Sequence, residues 1–578
     1  MEENDKGGSA KVGLMKQMMV PSYPSQGEPG LDTVCPDVIL KILTFLDSRS
    51  LKKLREVSSS IRDKVEENSK IVHYWSFTST FTTEHLKKFT DEVQTVLGLV
   101  IGDATDNGLS YFLKKHQEIK KFQLGSDKTL RNSSKCSLKG LKSIMTLPNL
   151  TSVEIKRIIK SIPGQIIYSI RSTRLTTLEL YNLAYIPEES ILALLNSCSS
   201  SLETINLPGN LNITDIVLLK IFQKFGSSLK SLNLCRTNIT GGILSKFTVS
   251  LPVITELKFG QCYQLTDIGL INLLQLSKQT LVYMDINGSR ITGENLIEIN
   301  GTLPCLENFY FFECRQLTDE GLFQIIRICG STLKELDIAD TFVTGESLEE
   351  YSGSLPNVEK LDCTGAFYLT DEALQELLGF CGDKLKSLVL QGTFVTCESL
   401  IDLDTQLHIQ NLECHESSVT DDGLIQLLQL CGNTLKHLDL TETAITGEGL
   451  MENDITLPCL EVLKLVVCEN LTDEGLVEFL QACRNTIKIL DISCTQITGE
   501  SMDDLEGTLP CLTTLDLGEL SELTVIGLQR ILEHTGPAFK TLNFELEYNR
   551  RFSVSILEYI KHQYPNVNFS VYYGCYLI

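Results

Sequence analysis

Apolar positions recur along this chain in one spacing, L-x-x-L-x-L, with other apolar residues standing in for leucine. Copies begin at Leu150, Leu175, Leu202, Leu229, Ile254, Leu281, Leu306, Leu333, Val358, Leu385, Ile409, Leu435, Leu460, Ile487, Leu512 and Phe539, sixteen in all. From Leu229 onward the intervals alternate, mostly between 25 and 27 residues, which makes a double repeat marked by Pro252, Pro304, Pro356, Pro458 and Pro510. Weaker copies precede them near Val93 and Ile119. Within a copy, Leu333-Lys334-Glu335-Leu336-Asp337-Ile338 alternates with period two, which predicts a short strand with one buried face.

After each strand and turn the pattern predicts a helix start of two alternating kinds. One reads Thr318-Asp319-Glu320-Gly321-Leu322 and returns at Thr266, Thr420 and Thr472; the other reads Thr344-Gly345-Glu346-Ser347-Leu348 and returns at Thr292, Thr446 and Thr498. Threonine suits the N-cap, because its oxygen accepts an orphan backbone N–H. The acids that follow sit where the helix dipole favours negative charge. One such unit cannot bury its apolar side alone, whereas stacked units share a continuous core. Strands stack about 4.8 Å apart and helices need about 10 Å, so the stack is expected to curve. The predicted fold class is α/β: a solenoid with a curved parallel sheet inside and helices outside.

These residues resemble the cysteine-containing class of leucine-rich repeats. Cys262, Cys314 and Cys468 fall three residues after a strand, and Cys329, Cys381, Cys431 and Cys483 close helices. The alternate repeats place Thr237, Thr341, Thr393, Thr443 and Thr495 at the turn, where their hydroxyls are expected to bond turn backbone. A structural role in the core is expected for these thiols, as small apolar groups, ahead of any metal or redox role. The predicted organisation is a lead at 1–30, a helical module at 31–70, irregular repeats at 90–148, regular repeats at 149–566, and a capping strand with tail at 567–578.

The lead carries Gly7-Gly8-Ser9, Pro21, Pro24 and Pro29-Gly30, a turn-rich composition. From Leu31 the texture changes to short amphipathic helices. Cys35-Pro36-Asp37, the apolar run Ile39-Leu40-x-Ile42-Leu43, Phe45-Leu46-Asp47, then Leu51-x-x-Leu54 and Val57 together resemble an F-box. That family docks the Skp-family adaptor of SCF (cullin–RING) ubiquitin ligases. Ser58 and Ile61 stand where the family often has cysteine and an aromatic residue. The resemblance implies adaptor binding through Pro36, Ile39, Leu40, Ile42, Leu43, Leu46, Leu51, Leu54 and Val57. A helical cap over the end of the solenoid is the alternative, and the two roles are compatible, since so short a segment buries little core by itself.

Composition narrows the function. The chain has 578 residues, 74 acidic against 50 basic, and a formal charge of -24, a balance unsuited to neutralising nucleic-acid phosphates. No apolar run approaches the ~18 residues of a membrane span. Nineteen cysteines, an odd number with no C-x-x-C pair, fit reduced thiols in the cytoplasm or nucleus. Catalytic motifs fail at their key positions: Glu294 stands where a phosphate loop needs lysine, and Val419 where a zinc-protease motif needs its second histidine. No catalytic residue, metal or cofactor is expected.

The strand residues between leucines line the inner face. With their flanking columns they count twelve acids to four bases, a wall of one sign that steers an oppositely charged partner. Tyr283, Tyr310 and Phe312 form an aromatic cluster there, beside Asp285, Asp337 and Asp362, and aromatics are the usual anchors of binding hot spots. The expected occupant is a protein client with a basic segment. Cys575-Tyr576-Leu577-Ile578 fits a C-a-a-X prenylation signal, which would make the chain membrane-associated through Cys575. Taken together, the resemblance implies a substrate receptor of an SCF-type ligase. A ligase-independent scaffold and a small-molecule co-receptor remain the alternatives.

Overall fold

The computed structural model describes residues 74–81, 83–84, 86–87, 96–124, 143–144, 146–155, 174–181, 186–246, 251–403, 406–545, 549, 551–573 and 576–577. The lead, the F-box segment and Cys575 lie outside them. The chain divides into two compact units, Met1–Thr237 and Asn238–Ile578.

In the first unit, strands Tyr74–Phe81, Gly98–Ala104, Lys121–Leu124, Ser152–Ile155, Thr177–Leu180, Thr204–Asn206 and Ser231–Asn233 each pair in parallel with the next. Their apolar residues fall in register: Val153 opposite Leu178, then Ile205, then Leu232. All four are fully buried. Helices Asp106–Lys115, Glu188–Ser197 and Asp215–Phe225 connect the strands.

The second unit repeats the scheme more regularly. From Glu256–Lys258 to Asn568–Tyr573 every strand is parallel to its neighbour, and only Tyr576–Leu577 runs antiparallel at the end. Leu361, Leu388, Leu412, Leu438, Leu463, Leu490, Leu515 and Leu542 form one ladder across successive strands. Burying a leucine stabilises by about 2 kcal/mol, and a single repeat has no partner surface on which to do so. The architecture is the leucine-rich-repeat solenoid that the periodicity predicts, with a parallel sheet on one side and helices on the other.

The two helix starts end differently. After Thr266, Thr318, Thr420 and Thr472 come α-helices of 11 residues, each with the threonine hydroxyl accepting from a glycine N–H. After Thr292, Thr344 and Thr498 come only five-residue 3-10 turns, at Glu294–Glu298, Glu346–Glu350 and Glu500–Asp504. The residue next to this threonine is left-handed, and Cys397 takes φ of 68° ahead of the same kind of turn at Glu398–Asp402, so the conformation is not particular to glycine. Gly293, Gly345 and Gly499 take φ of 81, 86 and 78°, a left-handed conformation that places the cap outside helical geometry. From Asp267–Ser277 to Val525–Glu533 the α-helix expected in every copy is present in alternate copies, and Val554–Gln563 then follows in the very next copy.

The first acid of five α-helices in the second unit does more than complement the dipole. Asp319 accepts from the Thr344 hydroxyl at 2.7 Å and from the Gly345 N–H at 2.6 Å, one repeat further on. Asp267, Asp371, Asp421 and Asp473 hold the next turn in the same way. These carboxylates join repeats, a role the spacing alone does not reveal. Close approach also explains Gly321: a Cβ there would lie 2.0 Å from the Thr292 carbonyl oxygen.

The turn residues behave as the resemblance implies. Thr237, Thr341, Thr393, Thr443 and Thr495 are buried and donate to the carbonyl three residues back. Cys329, Cys431 and Cys483 donate to the helix carbonyl four residues back, at 2.9 to 3.1 Å. Burial pushes the Cys381, Cys431 and Cys483 thiols up to about 12 and the Cys314 thiol to about 11, so none offers a thiolate at neutral pH.

Candidate functional site: the open sheet face of the second unit

Strand alternation sends leucines toward the helices and leaves the intervening residues on the other face, over which no helix lies among the described residues. Parallel register then brings residues far apart in sequence side by side. Asp285 stands opposite Tyr310, Glu335 opposite Lys360, and Asp337 opposite Asp362.

Tyr283 and Tyr310 meet with ring centroids 5.2 Å apart at an interplanar angle of 43°. Lys258 Nζ lies 4.8 Å from the Tyr283 centroid and 2.5 Å from Glu256 Oε1. Tyr310 donates its hydroxyl to Glu335 Oε2 at 2.9 Å. Burial, then the bond to Glu335, raises the Tyr310 hydroxyl well above the usual tyrosine range, so it remains a donor. Phe312 lies just beyond the strand, half-buried, and its carbonyl accepts from the Gly288 N–H at 2.9 Å. The structure brings the two tyrosines into direct ring contact and sets Phe312 two residues further along the same repeat.

The carboxylates are more committed than their count suggests. Asp285, Asp337 and Asp362 each accept the backbone N–H two residues on, from Asn287, Ala339 and Thr364. Asp362 also takes the Thr364 hydroxyl and meets Lys360 Nζ at 2.9 Å, while Lys360 reaches Glu335 at 3.4 Å. Asp337 is 9% exposed. Burial, aided by Asp362 and Glu335, lifts its pKa from 3.8 to about 6. Much of the acidic column therefore also terminates strands.

Among the described residues no group of three or more His, Cys, Asp or Glu side chains is placed to hold a metal ion. No helix among them is long and apolar enough to cross a membrane. The adaptor residues Pro36 to Val57 and Cys575 lie outside the described set.

One group of exposed residues is absent from the strand columns because it sits in the loops beyond them. Phe342, Phe367, Tyr368 and Phe394 occupy the same turn in three successive repeats. The signal for them was available: later repeats carry Ser418, Ala444, Glu469 and Gln496 at that turn.

The family model described as "Leucine Rich repeat" matches residues 433–452. No curated protein matches the chain. Among solved structures, the Rad7 and Elc1 complex in yeast is 17% identical, covering 90% of this chain and 96% of that one, with a TM-score of 0.28. A leucine-rich-repeat protein of Leptospira interrogans is 16% identical over 85% of this chain and 100% of its own, with a TM-score of 0.40. These likenesses concern the repeat fold alone.

Proposed function

We propose that this chain is the substrate-recognition subunit of an SCF-type ubiquitin ligase. Residues 31–70 bind a Skp-family adaptor, and the open sheet face of the second unit holds a protein client. The observation that carries this reading is the ordered F-box pattern from Cys35 to Val57, ahead of a long repeat array whose exposed face bears a paired aromatic anchor. The chain performs no chemistry itself. Its contribution is proximity, raising the effective concentration of client lysines near a charged ubiquitin-conjugating enzyme. On the client face, Tyr283 and Tyr310 supply apolar contact area, and Glu335, Asp337 and Asp362 favour a basic segment.

Affinity purification of the full chain beside two variants tests both halves. Leu40→Asp with Leu46→Asp is expected to lose the adaptor and cullin while keeping the client. Tyr310→Ala with Phe312→Ala is expected to lose the client while keeping the adaptor. A wild-type chain that recovers no adaptor would sink the ligase assignment and leave a scaffold.

A further inference from the structure

On the loops beyond the strands, four aromatic side chains point into solvent. Phe342 is 46% exposed, Phe367 45%, Tyr368 58% and Phe394 65%. They are not scattered. Phe342 meets Tyr368 with centroids 5.5 Å apart at 76°, and Phe367 meets Phe394 at 5.7 Å and 44°. Each contact crosses from one repeat to the next, so the rings form a row three repeats long. Contiguous exposed apolar surface of this kind marks an interaction site in soluble proteins.

The surroundings specify what chemistry would cover the row. The four strand-to-helix segments 339–347, 364–372, 391–399 and 415–422 hold eight carboxylates and neither lysine nor arginine. Glu346, Glu372, Glu398 and Glu416 are exposed. At one end of the row, the guanidinium carbon of Arg315 lies 6.0 Å from the Phe342 centroid. One ring face of the row is thus already in use as a seat for a guanidinium. Aromatic faces bordered by carboxylates attract arginine through the ring quadrupole and through charge, and arginine's planar group stacks where lysine's does not.

We propose that Phe342, Phe367, Tyr368 and Phe394 form a docking surface for an arginine-bearing segment of a partner protein, distinct from the tyrosine pair on the open sheet face. It depends on neither the F-box nor adaptor recruitment.

Fluorescence anisotropy of the full chain with a labelled peptide of alternating arginine and glycine tests it, with the same peptide carrying neutral citrulline for comparison. Wild type is expected to bind the arginine peptide and to bind the citrulline peptide about tenfold more weakly. Phe367→Ala with Tyr368→Ala and Phe394→Ala is expected to cost about tenfold, with thermal unfolding unchanged because the side chains are exposed. Phe394→Lys, which leaves the other rings in place, should act in the same direction by charge. Tyr283→Ala with Tyr310→Ala should leave binding within about twofold. No binding to wild type, or equal binding by the triple variant, overturns the inference. So does a loss confined to the Tyr283 and Tyr310 variant, which would place the guanidinium on the sheet face and leave the proposed client site standing.

Discussion

The repeats of the second unit come in two kinds that share a strand and a leucine ladder yet differ in the segment after the turn. Where Thr318 leads into Asp319-Glu320-Gly321, the hydroxyl caps an 11-residue α-helix. Where Thr344 leads into Gly345-Glu346-Ser347, the backbone turns left-handed and only a 3-10 turn forms. The short kind is held from outside, by the aspartate that begins the preceding long helix. Where the two kinds alternate, the long helices beginning at Asp267, Asp319, Asp371, Asp421 and Asp473 each supply the clamp for the turn that follows.

The junction between the two kinds offers the sharpest way to break the pairing. Where most junctions meet glycine to glycine, Gly345 meets Ala373, and a Cβ at 345 would lie 2.4 Å from the Ala373 Cβ. Gly345→Ala should cost about 3 kcal/mol, from strain at positive φ together with this collision. Gly392→Ala, at φ of 63° with no atom nearer to its Cβ than 3.8 Å, should cost roughly half as much. Urea denaturation midpoints decide; equal losses would show that φ alone sets the penalty.

A smaller effect probes the clamp. Asp319→Ala removes the acceptor for the Thr344 hydroxyl and the Gly345 N–H, and should cost about 2 kcal/mol. Glu372→Ala, at the equivalent position of the next long helix and exposed, should cost less than about 0.5 kcal/mol. The same denaturation experiment would expose a purely dipolar role for both acids if the two losses matched.

A third test concerns pH. Because burial lifts the Asp337 carboxyl from 3.8 to about 6, the folded chain keeps a proton that the unfolded chain releases near pH 4. Its contribution to stability is complete below that point and is lost as pH rises through about 6. Asp337→Asn keeps an acceptor for the Ala339 N–H, so it should gain on wild type between pH 4 and 6 and hold a constant margin above. Chemical denaturation across that window would show a flat difference if the carboxyl titrated normally.

Tyr283 and Tyr310 were legible from the leucine pattern, because strand alternation assigns both to the open face of adjacent strands, where they are diagonal neighbours. Their ring contact, and the engagement of Asp285, Asp337 and Asp362 with strand-end N–H groups, were not, since local turn geometry and the neighbouring repeats decide both. Phe342, Phe367, Tyr368 and Phe394 belong to loops, where no strand alternation assigns a face.

By itself the amino-acid order determined the strands, the register of the leucine ladder, the threonine caps and the buried hydroxyls and thiols of the turns. All of these arise from spacings within a single repeat. Only the tertiary structure decided where the first-turn aspartates bind and which aromatic rings touch. Each of those outcomes depends on atoms about one repeat away in sequence, brought within bonding distance only when the leucine core closes between neighbours.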